Sequence, residues 1–239
     1  MPSNPLIVAL DFESAERARE LVDRLGDRIA FYKVGLELYT AAGMSFVREL
    51  RDRGKDVFLD LKFFDIGETV KRAVAQVASR GVRFTTVHSS RAVMQAAVEG
   101  RGDSALKLLA VTVLTSFDQN DLADLGYPPE CTVSGLVALR VRKAIEAGMD
   151  GIVCSPLEVA RVREIAGPRM ILVTPGVRSA GAAQGDQKRV ATPAEAVRNG
   201  ADYLVIGRQI TRAADPAAEA DRILAELRAR PAATRERAH

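Results

Sequence analysis

Tryptophan is absent from the 239 residues, and cysteine and histidine occur only twice each. Cys131 and Cys154 lack the close spacing of a thiolate metal site, and the pair suggests no disulfide framework. One of the two histidines is the terminal residue, so a histidine-based triad or metal cluster is not expected. We interpret the other, His88, as structural. The sequence also carries no cofactor motif, and neither a metal nor a cofactor is predicted.

Excess charge and long apolar runs are lacking as well. Lys and Arg number 34 against 31 Asp and Glu, so the formal net charge is only +3, and no basic run is interleaved with aromatic residues. No stretch approaches the roughly 20 apolar residues of a membrane span, and no basic segment precedes the short apolar run at the start. We therefore expect a cytoplasmic protein with no nucleic-acid or membrane partner.

Short apolar runs alternate along the chain with longer amphipathic stretches, a pattern typical of βα units that feed a parallel sheet. The apolar runs are nearly continuous, as expected of strands that are covered on both faces. The eight predicted strands are 6–10, 30–34, 56–61, 83–88, 108–113, 151–154, 170–174 and 203–207. The eight predicted helices are 14–25, 38–53, 68–80, 92–98, 133–147, 157–165, 193–199 and 216–228.

Eight βα units in about 230 residues predict a (β/α)8 TIM barrel, here as a single α/β domain over residues 1–228. Four of the predicted helices are followed directly by a glycine, where a left-handed cap favours that residue: Gly54, Gly81, Gly148 and Gly200. A doubly wound open sheet is the alternative, but DFES follows the first strand in place of a GxGxxG turn. The Arg- and Ala-rich tail, residues 229–239, is predicted to be disordered.

Polar residues stand at or just past every predicted strand, at the end where such a barrel builds its active site. In chain order they are Asp11, Lys33, Asp60 with Lys62, His88, Thr115, Ser155, Arg178, and Gly207 with Arg208. Their concentration at one end of the barrel predicts a charged pocket.

The densest charge cluster lies in FLDLKFFDIGETV, residues 58–70, where Asp60, Lys62 and Asp65 fall within six positions. Asp60 and Lys62 are two apart, so on a strand they point to the same face, and neither face of a barrel strand readily hosts an unpaired charge. A structural ion pair remains an alternative. Structural roles also remain open for the others: Asp11 and Asp65 as helix caps, and Lys33 as a side chain that extends to solvent.

A phosphate site is predicted at the end of the last strand. Gly207 offers an unobstructed backbone N–H beside the guanidinium of Arg208, at a place where barrels commonly bind phosphate. The long polar segment 174–193 is predicted to be a mobile lid, with Arg178 and Gln187 as its best ligands. The pattern favours a small phosphate monoester as the substrate.

Four motifs together resemble the orotidine 5'-monophosphate decarboxylase family: DLKFFDI at 60–66, TPGVR at 174–178, GDQ at 185–187 and IGR at 206–208. The resemblance runs from about residue 6 to residue 227. The D-x-K-x-x-D core is shared with sugar-phosphate decarboxylases and synthases of the same suprafamily. The lid sequence and LTS at 114–116 favour the nucleotide enzyme.

The resemblance implies cofactor-free decarboxylation of orotidine 5'-monophosphate to uridine 5'-monophosphate by a homodimer. It implies that Lys62 is the proton donor and that Asp60 lies beside the carboxylate of the substrate. Asp65, with Ile66 and Thr69, would reach the site of the neighbouring subunit. The remaining implied contacts are Asp11 and Lys33 with the ribose, Thr115 with the pyrimidine, and Arg178, Gln187, Gly207 and Arg208 with the phosphate.

The chain departs from the common family pattern at Phe64, at Gly67-Glu68 and at Ser89-Ser90-Arg91. Three other functions remain open. They are a Mg²⁺-dependent enzyme of the same suprafamily, such as 3-keto-gulonate-6-phosphate decarboxylase or hexulose-phosphate synthase, an aldolase-like barrel in which Lys62 forms a Schiff base, and a catalytically silent nucleotide-binding protein. The second requires a neutral amine, which neighbouring aspartates oppose.

Overall fold

Eight parallel strands close into a barrel in the computed structural model of the protein, which describes residues 4–179 and 191–228. Each strand pairs with the next one in the chain, and the last strand returns to the first. The strands are β1 (Leu6–Ala9), β2 (Phe31–Gly35), β3 (Asp56–Phe63), β4 (Phe84–His88), β5 (Lys107–Val111), β6 (Gly151–Val153), β7 (Ile171–Pro175) and β8 (Tyr203–Ile206). The predicted (β/α)8 TIM barrel is therefore confirmed.

Helices lie between and after the strands. Those in the described residues are α1 (Ala15–Leu25), α2 (Leu36–Asp52), α3 (Gly67–Ala78), α4 (Arg91–Arg101), α5 (Gln119–Asp124), α6 (Val133–Glu146), α7 (Val159–Ala166), α8 (Pro193–Arg198), α9 (Arg208–Thr211) and α10 (Pro216–Arg228). The four glycines predicted to follow helices all have positive φ, between 68° and 109°. Their left-handed backbone is the conformation that glycine adopts without a steric cost.

All eight predicted strands and all eight predicted helices are present, with ends shifted by a few residues. Two short helices, α5 and α9, were not predicted, because six and four residues are too few to show a helical period. A local signal was available for α5, since Asp118 and Asp121 form a reciprocal capping box at its start.

The N-terminal half of the barrel interior is filled by aromatic rings. Phe84 contacts Phe31, Phe58 and Tyr203 edge to face, with ring centroids 5.1, 6.1 and 5.2 Å away. Arg83 covers this cluster, because its guanidinium lies 5.1 Å from the Phe31 ring and donates a hydrogen bond of 2.8 Å to the hydroxyl of Tyr203. Space for a ligand is therefore left at the C-terminal ends of the strands.

Several predictions fall on residues that the structure does not describe. Gln187 and most of the predicted lid lie outside the described residues, as does the tail 229–239. The domain boundary at residue 228 accordingly stays a prediction. Among the described residues, no helix is both long and apolar enough to cross a membrane.

Candidate active site

A cavity of about 250 Å³ opens at the C-terminal ends of the strands. Eight of the predicted site residues line it: Asp11, Lys33, Asp60, Lys62, Thr115, Arg178, Gly207 and Arg208. Apolar residues complete the wall, among them Val111, Val153 and Val205 from three different strands. A pocket with an apolar wall and a few convergent polar groups is typical of a site for a small ligand.

Four charged side chains form a continuous chain of ion pairs along one wall. Lys62 Nζ lies 2.9 Å from Asp60 Oδ2, and the same oxygen lies 3.9 Å from Lys33 Nζ. Lys33 in turn contacts Asp11 Oδ1 at 2.8 Å. The side chains of Lys33 and Asp60 are only 11% and 13% exposed, so each relies on its charged neighbours in place of water.

The structure does not show Asp11 as a helix cap or Lys33 as a side chain that extends to solvent. Helix α1 is capped by Ser14, whose side chain accepts from the backbone N–H of Arg17, and Asp11 is paired with Lys33. Lys33 does not extend to solvent, because nine-tenths of its side chain is buried. Both residues face the cavity.

The backbone of β3 bends at Lys62, which has a φ of 50° and is the only described non-glycine residue with positive φ. The pairing of β3 with β4 shifts register between Leu59 and Phe63, as at a β-bulge. A left-handed residue with a side chain costs roughly 1–2 kcal/mol. Sites that hold a residue in such a conformation are often functional ones.

Thr86 of β4 ties this bend together. Its hydroxyl accepts a hydrogen bond of 2.9 Å from the backbone N–H of Lys62 and donates one of 2.9 Å to Asp60 Oδ1. Because Thr86 is buried, it fixes the Asp60 carboxylate with one oxygen toward the strand and the other toward the two lysines. Sequence reasoning missed Thr86, since a threonine within an apolar run carries no charge to mark it.

Gly35 leaves the space that the ion pair of Lys33 and Asp11 occupies. A Cβ at this position would lie 2.8 Å from Lys33 Nζ and 3.1 Å from Asp11 Oδ1. Sequence reasoning also missed this glycine, because the close approach involves a side chain two residues away and another more than twenty residues away.

We expect Gly35→Ala to displace the Lys33 ammonium and therefore to weaken substrate binding by about tenfold. This loss corresponds to about 1.4 kcal/mol of binding free energy. The measurement is KM for the substrate, with thermal unfolding to confirm that the variant is folded. An unchanged KM in the Gly35 variant would contradict the expectation.

Two arginines, which follow β7 and β8, also line the cavity next to Gly207. Burial lowers the pKa of Arg178, and the positive charge of Arg208 lowers it further. Two guanidinium groups that line one cavity offer several hydrogen-bond donors to a phosphate. Gly207 precedes Arg208 at the start of α9, as the predicted phosphate site requires.

Asp65 and Thr69 do not line the cavity of the single chain. Asp65 is exposed, and its Oδ1 accepts a hydrogen bond of 2.6 Å from the backbone N–H of Ile66. The neighbouring Phe64 and Ile66 side chains are 69% and 74% exposed, which is unusual for large apolar residues. These residues form one surface beside the mouth of the barrel.

Two of the polar residues at strand ends do not belong to the pocket. Ser155 is fully buried, and its hydroxyl accepts a long hydrogen bond, 3.4 Å, from the backbone N–H of Leu157. His88 packs edge to face on Phe64, and burial, followed by the charges of Arg140 and Lys62, lowers its pKa. A polar residue at a strand end is therefore not by itself a site residue.

Within the described residues, no three or more His, Cys, Asp or Glu side chains are grouped so that they could hold a metal ion. The charged groups at the cavity are two ion-paired aspartates, their lysines and two arginines. This donor set fits a small ligand with a phosphate at one end.

The comparison with protein families matches residues 4–223 to the family described as "Orotidine 5'-phosphate decarboxylase / HUMPS family". The chain is 53% identical over 222 residues to orotidine 5'-phosphate decarboxylase of Rhodopseudomonas palustris strain HaA2, covering 93% of this chain and 94% of the relative. It is 52% identical over 231 residues to the protein of that name from Methylobacterium nodulans, covering 95% and 97%.

The fold is also similar to solved structures. The crystal structure of orotidine 5'-phosphate decarboxylase from Lactobacillus acidophilus superposes with a TM-score of 0.84 at 36% identity, covering 95% of this chain and all of the other. Because the family match and these relatives span nearly the whole chain, the protein belongs to the orotidine 5'-phosphate decarboxylase / HUMPS family.

Proposed function

We propose that the protein decarboxylates orotidine 5'-monophosphate to uridine 5'-monophosphate in pyrimidine biosynthesis, without a cofactor. The observation that carries the proposal is the chain of ion pairs from Lys62 through Asp60 to Lys33, in a cavity that two arginines also line. The family membership and the names of the relatives support the reaction. The cytoplasmic location expected from the sequence stays a prediction.

In this proposal, Lys62 supplies the chemistry at the reacting carbon. Loss of CO2 from C6 of the pyrimidine leaves an electron pair in the ring plane, where it cannot delocalise into the carbonyl π-system. The Lys62 ammonium stabilises this carbanion by its charge and then donates a proton to C6. Its position at the bend of β3 holds the ammonium against Asp60 before the substrate arrives.

Asp60 acts on both the enzyme and the substrate. Its carboxylate pairs with the Lys62 ammonium at 2.9 Å and so holds that charge in place for the reacting carbon. It would also repel the departing carboxylate of the substrate, which raises the energy of the bound state. Thr86 and Lys33 hold the carboxylate in place.

Different residues of the cavity would bind the three parts of the nucleotide. Asp11 and Lys33 would hold the ribose hydroxyls, and Thr115 the pyrimidine. Arg178 and Arg208 would hold the phosphate with Gly207 and Gln187, the last of which lies outside the described residues. Binding energy from the phosphate, far from C6, can then be used to order the site around the reacting carbon.

The working unit in this proposal is a homodimer in which Asp65 enters the site of the partner. In support, Asp65 lies outside the cavity of its own chain and stands between two exposed apolar side chains, Phe64 and Ile66. A second copy that covers this surface would remove both from water. Asp65 of one chain would then extend the chain of ion pairs past Lys62 of the other.

Mixed dimers test this arrangement. We expect Asp65→Ala and Lys62→Ala proteins each to be nearly inactive, and an equimolar mixture to recover about a quarter of wild-type activity after subunit exchange. About half of the dimers are then mixed, and one of the two sites in each of these is intact. Mixing Lys62→Ala with Asp60→Asn is the control, because both groups come from one chain and no intact site can form. Equal recovery in the two mixtures would contradict a shared site.

The reaction itself is tested by the ultraviolet absorbance change of orotidine 5'-monophosphate with the purified protein, with and without EDTA. We expect conversion to uridine 5'-monophosphate at the same rate in both. Conversion that EDTA abolishes would contradict a cofactor-free reaction, and no conversion by a folded protein would favour a sugar-phosphate enzyme of the suprafamily. Nucleotide binding without turnover by a folded protein would favour a silent binder.

A further inference from the structure

Gln209 lines the cavity directly after Arg208, and its side chain joins three elements. The amide oxygen accepts a hydrogen bond of 3.1 Å from the backbone N–H of Ser179, the residue that follows Arg178. The amide nitrogen donates a hydrogen bond of 2.7 Å to Glu219 of α10. Gln209 therefore links the loop after β7 to the helices after β8.

Glu219 fixes the orientation of this amide. A carboxylate only accepts hydrogen bonds, so the NH2 group of Gln209 must point toward Glu219 and its oxygen toward Ser179. The carboxylate stays charged, because hydrogen bonds from Arg222 and then from Gln209 hold the pKa of Glu219 below its usual range, against partial burial. A leucine of similar shape could make neither hydrogen bond.

Ser179 is held from a second side. It is only 4% exposed, and its hydroxyl donates a hydrogen bond of 2.8 Å to Glu226 Oε2 of α10. The backbone N–H of Arg178 donates a hydrogen bond of 3.0 Å to the carbonyl of Ala191. The chain on both sides of the Arg178 side chain is thus anchored to described parts of the fold.

An anchored loop can fix where the Arg178 side chain lies relative to Arg208. The guanidinium groups of Arg178 and Arg208 line one cavity and carry the same charge, so contacts other than their own must hold them close together. Arg178 follows β7, and Arg208 follows β8 at the start of α9. The hydrogen bond from Ser179 to Gln209 joins the residues that come directly after these two arginines.

From this geometry we propose that Gln209 is a positioning residue, which holds the Arg178 loop against Arg208 so that both cations are placed for one phosphate before it binds. The inference rests on the proposed function for the identity of the nucleotide, although it concerns the phosphate end alone. Gln209 acts through the loop and not through contact with the reacting carbon.

The test compares ligands with and without a phosphate on Gln209→Leu and Gln209→Glu proteins. Calorimetry should show uridine 5'-monophosphate binding about tenfold more weakly than to wild type, while uridine affinity changes by less than about twofold. The affinity for inorganic phosphate, measured by its competition with uridine 5'-monophosphate, should fall in parallel. KM should rise with a smaller change in kcat, because the group acts far from C6. Gln95→Leu, an exposed glutamine on α4, should change none of these.

Losses of equal size for uridine and its 5'-monophosphate would overturn the inference, since a general packing defect lowers both. Unchanged affinity for the monophosphate in a folded Gln209→Leu protein would also overturn it. Failure of the proposed function is a distinct result. Wild-type protein would then bind inorganic phosphate but neither bind nor convert the pyrimidine nucleotides, and the phosphate affinities of the variants would still test Gln209.

Discussion

Replacement of Lys62 by alanine is expected to lower kcat by at least about 10⁴-fold, because two contributions are lost together. A positioned general acid contributes roughly 10²–10⁴-fold, and a charge aimed at a developing anion roughly 10²–10³-fold. Affinity for uridine 5'-monophosphate should change by less than about tenfold, since Arg178 and Arg208, which would hold the phosphate, are untouched. Absorbance assays at high enzyme concentration and calorimetry measure the two quantities.

Lys71→Ala is the matched control for this variant. Lys71 also forms an ion pair, at 3.0 Å from Glu99, but it lies on the outer surface of α3 and is 44% exposed. Its loss should leave kcat unchanged. A Lys62→Ala protein that kept kcat within tenfold of wild type would remove Lys62 from the reaction.

The same lysine separates the decarboxylase proposal from Schiff-base chemistry. A Schiff base needs a neutral amine, whereas Lys62 forms an ion pair of 2.9 Å with Asp60. Borohydride treatment with substrate should therefore leave the mass of the protein unchanged. A reduced adduct on Lys62 would contradict the proposed role.

Asp60→Asn is expected to lower kcat/KM by at least about 10²-fold, in line with the loss of one preorganised electrostatic group. The amide has the shape of the carboxylate and can still accept from Lys62, so the change removes charge more than structure. Lys33 and Lys62 would then share this wall without the anion that lies between them. Steady-state kinetics and thermal unfolding measure the two effects separately.

Ligand affinities distinguish the two roles of Asp60. If its charge also repels the carboxylate of the substrate, the variant should bind orotidine 5'-monophosphate more tightly relative to uridine 5'-monophosphate, which has no carboxylate. An unchanged ratio would limit Asp60 to its effect on Lys62. Asp221→Asn, which alters an exposed pair with Arg28, is the control. A kcat/KM within about threefold of wild type would contradict both roles.

Family relationship, strand positions and most helices could all be predicted from the sequence. Apolar periodicity is a local property that survives in the chain without its fold, and eight alternating units leave few architectures open. The charged residues could be placed at the right end of the barrel for the same reason. Short helices such as α5 and α9 were harder to predict from the sequence.

Only the tertiary structure shows which side chains converge on the cavity. Strand-end position alone selected His88 and Ser155 together with Lys33 and Asp60, although only the latter two face the cavity. The sequence shows how far along a strand a residue stands. It does not show which way the side chain turns after the strand has bent or shifted register.

The sequence by itself therefore determined the barrel, the family and the charged character of the site, because these follow from local pattern and residue type. Only the tertiary structure decided how the site is assembled. The left-handed bend at Lys62, the threonine that fixes Asp60 and the glutamine that joins two loops all depend on contacts between residues more than twenty positions apart. Such contacts exist only once the barrel has closed, and no local pattern in the chain encodes their geometry.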